Sequence, residues 1–143
     1  MQKSNKFKGI INIGNNKYSY DLTFGYSSEA SEQYDKTVDR YFPPQPPPGF
    51  FDAALNRKGE RYLSKIIKLE PEMEYIIMLQ YCKNRKISIN WDNNKWHDDI
   101  LVCKLQDIND GNIINVDMLK EKSIVLTNTN ITQLKLIIKS KII

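Results

Sequence analysis

The chain has 143 residues, of which 41% are hydrophobic and 27% are charged, and its formal net charge is +4. This length suits one domain with its own core, and the composition is that of a folded globular protein rather than a disordered one. The lysines are scattered among acidic residues, and the one basic cluster, at 83–86, lies in a predicted turn, which argues against nucleic-acid binding. No apolar run approaches the roughly 20 residues that cross a bilayer, and the first residues carry no export signal.

Short strand patterns separated by turn residues run through the whole chain. Residues 7–13 and 17–25 flank Gly14, Asn15 and Asn16 and predict a hairpin. Eight further strands are predicted at 49–55, 61–69, 74–82, 86–92, 99–107, 112–118, 122–128 and 132–140.

These segments predict a fold without long helices. A helix is conceivable at 61–69 and 74–82, where Tyr, Ile and the intervening Pro71 favour strands. Many short strands at regular spacing, with no internal repeat and no compositional boundary, are typical of a sandwich. We expect an all-β fold, an antiparallel β-sandwich, that forms a single domain over residues 1–143.

The stretch "RYFPPQPPPGFFDAAL" (40–55) contains five of the six prolines of the chain. It fits the R-x-x-P-x-x-P pattern of polyproline ligands, but large aromatic residues flank the prolines on both sides, and a free ligand segment would expose them. A linker is disfavoured because residues 1–39 are too few for a domain. We therefore predict a rigid crossover at 40–50 that carries the chain between sheets and places its aromatic flanks at the edge of the core. Its structural residues are Pro43, Pro44, Pro46, Pro47 and Pro48.

Four stretches of the chain carry a resemblance to a known kind of module: "DLTFGYSSEASEQYDKTVDRYFPPQPPPGFFDAAL", "KISINWDNNKW", "CKLQDINDGNIINVDM" and "KSIVLTNTNITQLKLIIKS". They resemble β-sandwich modules of secreted and surface proteins of Bacteroidota and related bacteria, which often occur with type IX secretion sorting signals. The resemblance implies a fibronectin III-like or immunoglobulin-like sandwich, located outside the cell or on its surface, and no chemistry. No sorting domain and no signal peptide are evident. Asp35 and Asp39 match the acidic positions before the prolines, and they either cap backbone N–H groups or hold a cation.

The residues that could support catalysis are few. His97 is the only histidine, and no nucleophile is placed beside it by sequence, so we expect no enzyme and no cofactor. Cys82 and Cys103 lie in apolar strands, where they could form a disulfide or remain as two buried thiols. Together with His97 they lack the paired spacing of a zinc site.

Two loops contain oxygen ligands that calcium prefers. "DINDGN" (107–112) resembles an EF-hand loop, but Gly111 is fifth rather than sixth and Met118 occupies the position of the bidentate Glu, so Asp110-Gly111 is better explained as a tight turn. The other loop remains a candidate cation site, with the ligands Asp92, Asn93, Asn94, Asp98 and Asp99.

The same loop is a candidate sugar site. Trp96 would be an exposed stacking surface beside His97, Asp98 and Asp99, whereas Trp91 alternates with Ile87 and Ile89 and is predicted to lie in the core.

These patterns favour a non-catalytic structural or adhesive module that acts through protein–protein contacts or self-association. The apolar strand at the end of the chain, 132–143, is expected to offer an edge for such contacts. The alternative is a carbohydrate-binding or calcium-binding module that uses the loop 92–99. No membrane insertion is expected.

Overall fold

The computed structural model describes residues 5–31 and 33–142, so residues 1–4, 32 and 143 of the predicted domain lie outside the described part. Each of the ten predicted strands is confirmed, and the described part adds a two-residue strand and a one-turn helix. The elements are β1 (Lys6–Gly14), β2 (Ser19–Ser27), β3 (Arg40–Tyr41), β4 (Asp52–Arg57), β5 (Glu60–Lys68), β6 (Met73–Gln80), β7 (Ile87–Trp91), α1 (Trp96–Asp99), β8 (Ile100–Asp107), β9 (Asn115–Asp117), β10 (Ser123–Leu126) and β11 (Gln133–Ser140).

The strands form one curled sheet in the order β10-β7-β1-β2-β5-β4-β6-β11-β8-β9, with β3 attached to β5. The all-β prediction is confirmed. The prediction of purely antiparallel pairing is wrong at one place, because β2 and β5 are parallel. A parallel pair needs a long crossover, and the connection 28–59, which contains the proline-rich stretch, provides it. Among the described residues no helix is long and apolar enough to span a membrane.

Strand β5 pairs with different strands along its length. Residues 60–62 pair with β4, and residues 64–68 pair with β2. We call β10, β7, β1 and β2 the first half of the sheet, and β4, β6, β11, β8 and β9 the second half. Both halves contribute buried side chains to one core; the rings of Phe24, from the first half, and Tyr75, from the second, meet edge-to-face at 6.2 Å.

The strand near the end of the chain does not form an edge. β11 pairs with β6 on one side and with β8 on the other, so the expectation that it offers a free edge is wrong. Its side chains alternate between buried and half-buried positions, as the sequence pattern predicts. In the described part, β9 and β10 end the strand order, and residues 118–122 connect them.

Candidate functional site

Trp96 is a core residue. Its side chain is only 6% exposed and packs edge-to-face on the rings of Phe7, at 5.6 Å, and Phe24, at 5.7 Å. Gly9 makes this packing feasible, because a Cβ there would lie 3.0 Å from the Trp96 ring and closer still to Phe24. The prediction that Trp96 is an exposed stacking surface for sugars is therefore wrong, since burial in an aromatic cluster stabilises so large an apolar ring more than exposure does.

The residues that follow Trp96 do not converge on a site. The His97 and Asp98 side chains are 73% and 60% exposed, and Nε2 of His97 lies 3.3 Å from Oδ1 of Asp98. Asp99 contributes its backbone carbonyl, which accepts hydrogen bonds from the Tyr26 hydroxyl and the Lys141 N–H. Burial of that hydroxyl raises the pKa of Tyr26.

The other predicted cation ligands stabilise the loop itself. Oδ1 of Asp92 accepts the backbone N–H of Asn94 at 3.0 Å. Nδ2 of Asn93 donates to the carbonyl oxygens of residues 118, 119 and 121, so this amide fastens the connection between β9 and β10. Trp91 is buried, as predicted, and its Nε1–H also donates to the carbonyl of residue 118. Across 5–31 and 33–142, no three His, Cys, Asp or Glu side chains are grouped as a metal site.

Of the two acids before the prolines, Asp39 pairs with a cation that belongs to the protein, the Lys65 ammonium. Asp39 and Lys65 have fully buried side chains, and Oδ2 of Asp39 lies 2.9 Å from Nζ of Lys65. The same carboxylate accepts the backbone N–H groups of Asp35, at 2.8 Å, and Ile66, at 3.0 Å. The Lys65 ammonium also donates to the carbonyl of Gln33 at 3.0 Å. Asp39 therefore caps backbone N–H groups, which is one of the two roles expected for it. The cation beside its carboxylate is the Lys65 ammonium rather than a bound ion.

Asp35 has a local role. Its Oδ1 accepts the N–H and the hydroxyl of Thr37, and these hydrogen bonds lower the pKa of the Asp35 carboxyl. Lys65 was missed by sequence reasoning because a lysine within a strand is normally solvated. The available signal was its position directly before two isoleucines in β5.

The proline-rich crossover is held by side chains that donate to its carbonyl groups. Arg61 donates from Nε to the Pro43 carbonyl at 3.0 Å and forms a bidentate pair with Asp52, which is 2% exposed. Gln80 donates from Nε2 to the carbonyls of Pro46, at 3.2 Å, and Pro47, at 2.8 Å. Proline lacks an N–H but keeps its carbonyl, so these contacts fix the segment without extending the sheet.

The aromatic flanks of the crossover divide into two pairs. Phe51 is buried and Phe42 is half-buried against the core, in line with the expected placement. Tyr41 and Phe50 are 52% and 61% exposed, so the prediction that the aromatic flanks lie at the edge of the core is wrong for this pair. Tyr41 stacks at 5.1 Å on Tyr62, a core residue that is 3% exposed, so the Tyr41 ring lies on the outside of the core rather than within it.

Both cysteines are free thiols, so the disulfide alternative is wrong, and of the two thiols expected to be buried only Cys103 is. Cys103 is fully buried, and burial raises the pKa of its thiol well above the ordinary range. Cys82 is half-buried, and its sulfur accepts a hydrogen bond from Nδ2 of Asn15 at 3.1 Å.

The turn interpretation of the segment after β8 is confirmed. Asp110 and Gly111 have φ values of 60° and 80°, the left-handed conformation of a tight turn. Asp107 stabilises the loop, because its carboxylate accepts the N–H groups of Asn109, Ile113 and Ile114. These hydrogen bonds lower the pKa of Asp107.

Strand β10 is the best candidate for a contact surface. Within the described residues it pairs with β7 and with no other strand. Alternate N–H and C=O groups of such a strand point away from its only neighbour. The strand reads Ser-Ile-Val-Leu, without charge or proline, and the outward-facing Val125 is 55% exposed.

Comparisons with protein-family models, with curated proteins and with solved structures find no match to this chain.

Proposed function

We propose that this chain is a non-catalytic structural or adhesive module that acts through protein contacts, with the edge of β10 as its contact surface. The observation that carries the proposal is the edge of β10, which among the described residues pairs on one side only. Proteins protect exposed sheet edges with charged residues, proline, a bulge or short strand length; β10 has no charge, proline or bulge, and its four residues are its one protection.

The roles of the polar residues elsewhere support a contact function. The side chains that could form a reaction centre or a cation site are engaged in stabilising loops: Asp39 binds Lys65, Asp107 caps a turn and Asn93 fastens a connection. His97 is largely exposed, and its Nε2 lies 3.3 Å from Oδ1 of Asp98, which is also largely exposed.

The same proposal includes the type of sandwich and the location of the protein. One core between the two halves of a curled sheet supports a sandwich of the fibronectin III or immunoglobulin kind, and the resemblance to Bacteroidota modules is the ground for proposing a location on the cell surface or outside the cell. Labelling of intact cells with a membrane-impermeant amine reagent tests the location; a chain that reacts only after lysis contradicts it.

Self-association through β10 is tested by light-scattering mass over micromolar to millimolar concentrations. We expect the mass to rise with concentration, and Val125→Lys to weaken association at least about tenfold, because a charge on an unpaired edge opposes strand addition. The matched control is Ile10→Lys, which places the same charge at a 49% exposed position on β1, a strand that lies between β7 and β2 in the sheet. A chain that remains monomeric throughout, or equal effects of the two variants, would contradict self-association through this edge.

A further inference from the structure

A polar groove lies on the outer face of the first half of the sheet, and none of the functional residues predicted from the sequence lies in it. Its volume is about 250 Å³. Gly14 creates the depression, because a Cβ there would lie 2.8 Å from the Ser19 Cβ and 2.9 Å from the Tyr18 carbonyl. We call this the outer groove; its lining includes Asn12, Gly14, Tyr18, Ser19, Ser88 and Asn90.

The aromatic residue at the rim of the outer groove is held in place. Tyr18 is 58% exposed, yet its backbone N–H donates to Oδ1 of Asn15 at 2.8 Å and its carbonyl accepts the Asn15 N–H at 3.0 Å. Asn15 is 3% exposed, and its own carbonyl accepts Nδ2 of Asn84 at 2.6 Å. The hairpin tip that carries Tyr18 is thus fixed to the body of the protein, and a fixed binding residue loses less entropy when a ligand binds.

The polar side chains of the groove are available to a ligand. Ser19, Ser88 and Asn90 make no side-chain hydrogen bond to any described residue. Asn12 donates from Nδ2 to Asp21 at 2.9 Å, which fixes the amide and leaves its Oδ1 as an acceptor.

We propose that the outer groove binds one ring of a neutral glycan. The Tyr18 ring stacks on the apolar face of the sugar, while Ser88, Asn90 and Asn12 form hydrogen bonds with its hydroxyl groups. Hydroxyls and amides both donate and accept, so they match the hydroxyl pattern of a sugar. Among the described residues that line the groove, Lys17 is the one charged side chain, and its ammonium lies 5.5 Å from the centre of the Tyr18 ring. These residues therefore provide no pair of like charges that would select a strongly charged ligand. This site is distinct from the loop 92–99, and it borders β10, because Ser88 and Asn90 pair with Val125 and Ser123.

The test is a nuclear magnetic resonance titration of the isotope-labelled chain with glucose, galactose, mannose and N-acetylglucosamine. Affinity electrophoresis in gels containing soluble neutral polysaccharides accompanies it. We expect at least one sugar to shift the amide signals of residues 12–19 and 88–90 with a millimolar Kd, as suits a single shallow groove. Tyr18→Ala should weaken binding about tenfold, whereas Tyr18→Phe keeps the ring and should bind like the parent chain.

Two further variants separate binding from folding. Asn90→Leu keeps the size of the side chain and removes its hydrogen-bonding groups, so it should weaken binding without shifting signals outside the groove. Phe50→Ala removes another exposed ring, 61% exposed and outside the lining, and should leave binding unchanged. Absence of shifts with every sugar, shifts located elsewhere, or a Tyr18→Ala variant that binds like the parent would overturn the proposal.

Discussion

At the scale of single residues, Lys65 and Asp39 place opposite charges where neither side chain reaches solvent. Removing one partner of such a pair leaves an uncompensated buried charge. We expect Lys65→Met to lower the free energy of unfolding by about 3–5 kcal/mol, measured by urea denaturation. The double variant Lys65→Met, Asp39→Asn should lose less than the sum of the two single variants, because neither isolated charge remains.

The chain contains its own control for this residue-scale prediction. Lys135 pairs with Asp110 at 2.8 Å, but the Asp110 side chain is 88% exposed. Lys135→Met therefore makes the same chemical change where water replaces the lost partner, and it should cost far less stability. If Lys65→Met and Lys135→Met lower the free energy of unfolding equally, burial of the Lys65–Asp39 pair does not increase the cost of removing one partner.

At the scale of elements, the proline-rich crossover should stabilise the fold by restricting the unfolded chain. Replacing Pro46, Pro47 and Pro48 by alanine should lower the free energy of unfolding by about 1–3 kcal/mol, seen as a clear fall in Tm. The carbonyl groups that Gln80 binds are retained in this variant, so the loss reports mainly on backbone entropy. Pro71→Ala, at an exposed turn, is the control and should change Tm much less. An unchanged Tm in the triple variant would contradict an architectural role for this stretch.

The elements also show what the sequence could predict. Strands were predictable because side chains alternate between core and solvent, as in β11. The turn at Asp110-Gly111 was predictable because its residues favour positive φ. The environment of a loop side chain was not predictable, because it depends on residues distant in sequence: a Cβ at Gly9 would crowd both Trp96 and Phe24, so Gly9 leaves the space in which the Trp96 ring packs. The outer groove has the same origin, since β1, β2 and β7 must first be aligned.

At the scale of the whole molecule, strand order could not be read from periodicity. Alternation shows that a strand has one buried face but not which strands flank it. β11 was therefore expected at an edge and lies between two strands, whereas in the described part the edges fall on β9 and β10. The parallel pairing of β2 and β5 is likewise set by the long crossover, not by a local pattern.

A buried hydroxyl group forms hydrogen bonds between the two halves of the sheet. Tyr75 extends from β6, in the second half, and its buried Oη accepts the Gly25 N–H of β2 at 3.1 Å. The same oxygen lies within donating distance of the carbonyl oxygens of Gly25 and Lys65. Tyr75→Phe keeps the ring in the core and leaves these backbone groups without that partner. We expect it to lower the free energy of unfolding by about 1–3 kcal/mol, measured by urea denaturation.

Hydrogen exchange distinguishes a link between the halves from a general loss of packing. In Tyr75→Phe the amide of Gly25 should exchange faster, along with neighbouring amides of β2 and β5, while amides of β8 and β11 change only as much as global stability requires. Tyr18→Phe removes a hydroxyl from a 58% exposed tyrosine and should leave both stability and exchange unchanged. If Tyr75→Phe behaves like Tyr18→Phe, the hydroxyl makes no measurable contribution and core packing accounts for the contact between the halves. If only Tyr75→Phe accelerates exchange at β2 and β5, the Tyr75 hydroxyl stabilises the contact between the halves.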